Sequence, residues 1–278
     1  MIHVPGAASF PTCADDSGVC TTVNYPFSIA QTEVSYQQWS IVHDWAVAHG
    51  YTFANPGGRG GYYIPNPSSI GTFTSGHDTD PVTSINWRDA IVWCNALTEY
   101  YNVQTGSALA CVYKSDGVPI RDATNATACD AVVPNPNAKG YRLPLSMEWE
   151  LAARYKDGTS WTPGNYASGA TAACITPENP TIGAGANNAV AWYSANSNIS
   201  APNVYSTQPV GGKAANALNL YDMSGNVWEW CFDSSDTKRT LRGGSWYHPV
   251  TDLHLSFIYC QLPATGLNDA GFRYVRTE

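Results

Sequence analysis

The side chains best able to do covalent or metal chemistry in this chain are its eight cysteines and six histidines. The cysteines are Cys13, Cys20, Cys94, Cys111, Cys129, Cys174, Cys231 and Cys260. None forms a CxxC pair, so zinc-ribbon and thioredoxin chemistry find little support. Cys13 and Cys20 bracket a short polar loop, ADDSGV, and Cys111 and Cys129 bracket another polar excursion. Each pair reads either as a local disulfide, which implies an oxidising compartment, or as packed, reduced thiols. The histidines are His3, His43, His49, His77, His248 and His254, and they form no cluster. His43 and His49 stand six apart on an expected helix and face different sides of it.

The elements that position these groups follow from periodicity and caps. In TEVSYQQWSIVHDWAVAHG, Ser35 and Gln38 have capping-box spacing. Tyr36, Trp39, Val42 and Ala46 then share a face, and Gly50 stops the helix. In NWRDAIVWCNALTEYY, Asn86 is the cap and Ala90, Trp93, Cys94 and Leu97 form the apolar stripe. A third, shorter helix lies in SMEWELAARY, with Ser146 as its expected cap and acidic residues in its first turn. Between them run long Gly/Pro/Asn/Ser stretches at about 54–85, 105–140 and 156–208, carrying aromatics such as Tyr62, Tyr63, Trp161 and Trp192. Loops of that length are uncommon unless packed or functional, and the aromatics favour packing. Strand-like pieces are expected at about 204–211, 227–232, 239–242 and 271–275. No boundary separates two hydrophobic cores and no repeat is visible, so residues 1–278 read as one loop-rich α+β domain with two main helices.

Composition narrows the function classes. Apolar residues make up 44% of the 278, enough for a substantial core, while charged residues make up only 13%. Net charge is -8, so the basic footprint of a nucleic-acid partner is missing and an anionic membrane surface is disfavoured. No segment has the apolar run needed to span a bilayer. The opening MIHVPGAASFPT lacks the charged n-region and apolar run of a signal peptide. The compartment is therefore open, with an extracellular or surface-displayed location favoured if Cys13/Cys20 and Cys111/Cys129 are disulfides.

Four stretches, in order, carry a family resemblance: PVTSINWRDAIVWCNAL, GYRLPLSMEWELAAR, NLYDMSGNVWEWCFD and LRGGSW…AGFRYVR. Together they resemble the formylglycine-generating-enzyme, or sulfatase-modifying-factor, family, built on a C-type-lectin-like fold. EVSYQQW fits the same family's opening helix, so the resemblance covers nearly the whole chain. Fold does not fix activity, which lives in sites. The family's catalysts bind copper with a pair of cysteines shortly after GGS, because soft thiolates suit Cu(I). Here the residues after Ser245 run Trp246, Tyr247, His248, Pro249, Val250, Thr251, Asp252, Leu253, and Cys260 stands alone. No copper site and no catalytic residue are expected. The histidine cluster of the iron-dependent sulfoxide synthases, a second enzymatic branch, has no counterpart here.

The resemblance further implies a structural calcium site around GNVWEW. Its ligands would be Asp222, Glu229 and the carbonyls of Gly225 and Val227, hard oxygens from a tight turn. The alternative, that Asp222 and Glu229 cap turns and accept backbone N–H bonds, stays open. Trp228 and Trp230 read as core anchors.

Variable proteins of diversity-generating retroelements resemble this family closely, and carry a variable region at the C-terminus between a GGSW-like start and a GFR-like end. That places a ligand-binding region at 246–273. Randomised AAY codons cannot reach Lys, Gln, Glu, Met or Trp, and between Tyr247 and Ala270 only Gln261 falls outside the reachable set. Arg242–Trp246 and Gly271–Arg273 would pair as strands and hold the ends, with Leu253, Leu255 and Pro263 pinning the middle. Tyr247, His248, Phe257 and Tyr259 would be large amphipathic contacts. Thr251, Asp252, Gln261, Thr265, Asn268 and Asp269 would supply adaptable hydrogen bonds. Pro249, His254, Cys260, Leu262 and Leu267 complete the expected face. The resulting expectation is a non-catalytic display protein for an unknown ligand, a protein or cell-surface molecule. The alternatives are a copper oxidase with altered ligands and a catalytically silent module of the same fold.

Overall fold

The computed structural model describes residues 1–12, 20–64, 69–72, 76–174, 184–198 and 205–278. Helices α1 (Tyr36–Ala48) and α2 (Trp87–Thr105) are the two long ones, followed by α3 (Ala126–Asp130), α4 (Ser146–Arg154) and α5 (Ala184–Val190). Short strands and irregular segments fill the rest of the described chain, giving the α+β, loop-rich architecture.

Helix α1 starts where the Ser35 side chain accepts from the Gln38 N–H, 3.2 Å away. Gln38 does not reach back; its amide donates instead to the Tyr274 hydroxyl. Trp39, Val42 and Ala46 are buried, as the 3.6-residue period requires. Helix α2 carries a full capping box between Asn86 and Asp89. It is buried nearly all round through Thr98, so its stripe is wider than periodicity alone indicates. Ser146 is not the cap of α4. Leu145 takes that position, its N–H satisfied by the Glu148 carboxylate at 2.8 Å, while the Ser146 N–H donates to Asp233.

Two four-stranded sheets organise the molecule. One has the order Ile2–Val4, Phe27–Ile29, Val275–Thr277, Tyr141–Arg142, so it joins the two ends of the chain. The other has the order Tyr259–Gln261, Lys238–Arg242, Trp228–Ser235, Ala270–Gly271. In it, the edges of the C-terminal run do not pair with each other as the sequence reading expects. Lys238–Arg242 runs antiparallel along one side of Trp228–Ser235, and Ala270–Gly271 runs parallel along the other. The chain leaves the strand at Arg242 because Gly243 and Gly244, at φ 95° and 81°, turn it through the left-handed region. A main core packs α1 and α2 against Trp228, Trp230 and Phe272, and a second packs α4 against the end-joining sheet.

Cys111 and Cys129 are not bridged. Each thiol is free, buried and directed at its own carbonyl, Asn95 O at 3.7 Å and Asp122 O at 3.5 Å respectively. Burial pushes both thiols up to about 12, which keeps them protonated and inert. The oxidising-compartment reading therefore loses that pair. Cys13 lies outside the described residues; Cys20 is a free, exposed thiol. Among the described residues, no helix is long and apolar enough to cross a membrane.

Candidate functional site

The motif residues form a buried ionic frame beneath the C-terminal run. Arg273, from GFR, grips Glu229, from WEW, with Nε to Oε2 and Nη2 to Oε1 both at 2.6 Å. Both side chains are fully buried. Arg273 also donates to the carbonyls of Ala30 and Tyr221, and Trp149 Nε1 donates to Glu229 Oε2 at 2.8 Å. Arg242, from RGGSW, pairs with Glu150, which also bonds Arg154. Its Nη1 donates 2.7 Å to the carbonyl of Phe257, in the middle of the run. Paired, hydrogen-bonded charges are the form in which buried ions survive.

The run is pinned by its backbone from several directions. Ser194 N–H donates to His248 O, Ser197 Oγ to Trp246 O, Ser224 Oγ to Leu253 O, and Ser84 N–H to Leu267 O. The N–H groups of Leu255 and Ser256 donate to Tyr166 O and Gly164 O. Leu253, Leu255 and Pro263 are buried, as the sequence indicates, and Val250 joins them. Ser245 Oγ donates 2.9 Å to Asp269 Oδ2, tying the start of the run to its end.

The side chains divide sharply. Tyr247, Pro249, Thr251 and Leu262 are exposed, as is Ile258, which sequence reasoning missed. His248, Asp252, His254, Phe257, Tyr259, Cys260, Gln261, Thr265, Leu267 and Asn268 are half-buried. Asp269 is only 8% exposed, because the Ser245 hydroxyl and surrounding backbone enclose it, so it is not the surface hydrogen-bonder expected. Phe257 and Tyr259 lean on Trp228 with ring centroids 5.8 and 5.4 Å away, which turns part of each inward. Trp228 and Trp230 are themselves buried.

Six of the expected residues converge. Tyr247, His248, Tyr259, Leu267, Asn268 and Asp269 line a cavity of about 190 Å³, with Trp246 as a further wall. His248 Nδ1 accepts from Trp228 Nε1 at 2.7 Å, which leaves the proton on Nε2, 4.0 Å from Asp269 Oδ2. Burial raises the Asp269 carboxyl above its ordinary range, and His248 partly offsets this. Pro249, Thr251, Leu262 and Thr265 lie outside the cavity lining. Cys260 sits on the edge strand with no second cysteine beside it in the run, so no thiolate pair is built there.

The loop expected to hold calcium is assembled nearby. Gly225, at φ 79°, lies so close to Trp192 that a Cβ would come within 2.2 Å of its carbonyl. Asp222 is buried; its Oδ2 accepts from Gly211 N–H at 2.6 Å, while Oδ1 has no partner among the described residues. Burial pushes its carboxyl up to about 6. Glu33, from the start of the chain, joins the same loop by accepting from Asn226 Nδ2 at 2.6 Å and Val227 N–H at 3.0 Å. Its carboxyl is also raised, first by burial and then by Asp222 and Glu229. Sequence reasoning had no route to Glu33, which lies 193 positions from Asn226. The orphaned Asp222 oxygen fits a hard cation. Glu229 Oε1, held by Arg273 alone, retains one lone pair for it. Among the described residues no three His, Cys, Asp or Glu side chains gather as a metal site, so an ion here would take much of its ligand set from backbone carbonyls.

Known proteins resemble this chain in sequence and in fold. The chaperone protein LppX of Paenibacillus barcinonensis is 32% identical over 225 residues, covering 71% of this chain and 70% of that protein. The crystal structure of CarF superposes with a TM-score of 0.74 at 28% identity, covering 100% of this chain and 97% of that one. Treponema denticola variable protein 1 superposes with a TM-score of 0.67 at 24% identity, covering 100% and 95%, a likeness of fold. The model of the sulfatase-modifying factor enzyme 1-like domain matches residues 4–278. The buried GNVWEW–GFR frame and this match together show that the chain belongs to the sulfatase-modifying factor enzyme 1-like family.

Proposed function

We propose that this protein is a non-catalytic ligand-binding and display protein, and that a retroelement diversifies its run 246–273. One observation carries the reading. The run's backbone is held by bonds from distant parts of the scaffold, while Tyr247, Pro249, Thr251, Ile258 and Leu262 project into solvent. Such a design lets side chains change without loss of the fold. The family's copper chemistry needs two soft thiolates after GGS, and this sequence has none before Cys260. The ligand would be a protein or cell-surface molecule.

Two measurements test this. In the source DNA, a near-copy of the codons for 246–273 that differs only at adenines, beside a reverse transcriptase gene, is the expected finding; its absence removes the retroelement part. The purified protein should neither bind Cu(I) stoichiometrically nor oxidise a sulfatase-type cysteine peptide; either activity would restore the oxidase reading.

A second reading draws on the relative from P. barcinonensis, which is named a chaperone. A chaperone would use the same face to hold one folding client. It predicts an invariant run and faster refolding of a client protein; a diversified run argues against it.

We also propose a structural calcium ion held by Asp222, Glu229 and the carbonyls of Gly225 and Val227. Glu33 would add negative charge beside it. The ion would offset the excess of buried carboxylates over Arg273 and brace the turn from which Trp228 enters the core.

A further inference from the structure

We propose that the cavity under Tyr247 receives a cationic side chain, arginine or lysine, of a partner protein; this rests on the display reading above. Size supports one side chain. About 190 Å³ is below the several hundred Å³ typical of drug-sized ligands. Three aromatic rings, Trp246, Tyr247 and Tyr259, stand around it, and aromatic faces attract a cation. The Asp269 carboxylate lies in the wall with Asp252 close by, 3.6 Å from His248 Nδ1. Among the described residues, no Lys or Arg comes within 4.0 Å of either carboxylate; their ionisable neighbour is His248. The contrast is with Glu148, Glu150 and Glu229, each of which has its arginine inside the fold. A buried carboxylate without a cation beside an open pocket is a site where a charge-assisted hydrogen bond is available to a ligand. The protein's net charge of -8 also attracts a basic partner.

The rival chemistry is an anion. Among the described residues, Trp246 Nε1 and Asn268 Nδ2 are buried donors without partners. Both are neutral and shielded from solvent, whereas Asp269 would repel the anion, so the cation is favoured.

The test is an NMR titration of the intact ¹⁵N-labelled protein, read at the indole N–H signals of Trp228 and Trp246. The probes are Nα-acetyl-arginine methylamide, its neutral isostere Nα-acetyl-citrulline methylamide, and Nα-acetyl-glutamate methylamide. The arginine probe should bind about tenfold more tightly than the citrulline probe. Asp269→Asn, which keeps an acceptor for Ser245, should erase that difference, and Tyr259→Leu should weaken it while preserving the fold. Equal affinities, no response to arginine, or tighter binding of glutamate would overturn the assignment. A random-peptide phage selection on the same protein separates the two readings. Binders that depend on Tyr247 but lack basic residues sink the cation and leave the display reading standing. A selection in which no binder depends on any residue of the face sinks both.

Discussion

The frame beneath the run and the run itself are neighbours with opposite physics. In the frame, Arg273–Glu229 and Arg242–Glu150 are buried ion pairs, each arginine held against a carboxylate inside the fold. In the run, specification is carried by backbone carbonyls and by a few buried aliphatics, while the intervening side chains face solvent or a small cavity. The difference teaches that a surface is freed for change by moving its structural obligations elsewhere. Serines and Arg242 outside the run's centre, with the short strand Tyr259–Gln261 paired to Lys238–Arg242, hold its main chain, so the run needs no long helical or strand period.

The comparison breaks most visibly at its ionic side. Arg273→Ala leaves Glu229 buried and unpaired and should cost roughly 3–5 kcal/mol; chemical denaturation measures it. Within the run, Leu253→Ala removes a fully buried side chain and should cost about 2–5 kcal/mol, showing that the middle is pinned. Ser245→Ala removes the tie to Asp269 and leaves that buried acceptor short of a donor, for roughly 1–3 kcal/mol. The proposed calcium ion would have a pH-dependent effect. A buried Asp222 with its pKa raised to about 6 favours the protonated fold, so without a cation its contribution weakens as pH rises from about 4 through 6. Calcium should therefore raise Tm at pH 7.5 and much less at pH 5, and Asp222→Asn should shrink the rise; thermal melts with calcium and with chelator decide it. At the small end, Thr251→Ala and Leu262→Ala should each lie within about 0.5 kcal/mol of the parent.

The helices of the scaffold were legible in the sequence, whereas the Arg273–Glu229 and Arg242–Glu150 pairs were not. Helices α1 and α2 announce themselves by period and cap; Asn86 is the cap of α2 on both readings, and the structure adds Asp89 as the second half of a capping box. Leu253, Leu255 and Pro263 are buried as the sequence reading expects, although the equally apolar Ile258 and Leu262 are exposed. Other features depend on contacts between distant positions. Glu33 meets Asn226 and Val227 only through the fold, and nothing local marks it. Ser146 looks like a helix cap until Glu148 reaches back to Leu145 instead. Asp269 reads as a surface residue because its burial is made by Ser245, 24 positions earlier. Cys111 and Cys129 bracket a loop, but each thiol turns to a different carbonyl. The sequence reading places Trp246 at the strand-like edge of the run; two residues beyond the left-handed Gly244, it is also a cavity wall.

The most direct test of the account randomises Tyr247, Pro249, Thr251, Ile258, Leu262 and Thr265 together and sorts the displayed library by protease resistance. If the run is a replaceable recognition surface on a fixed frame, most variants should resist proteolysis like the parent, with stabilities clustered within about 1 kcal/mol of it. If most variants unfold, these side chains hold the fold together and the account is wrong.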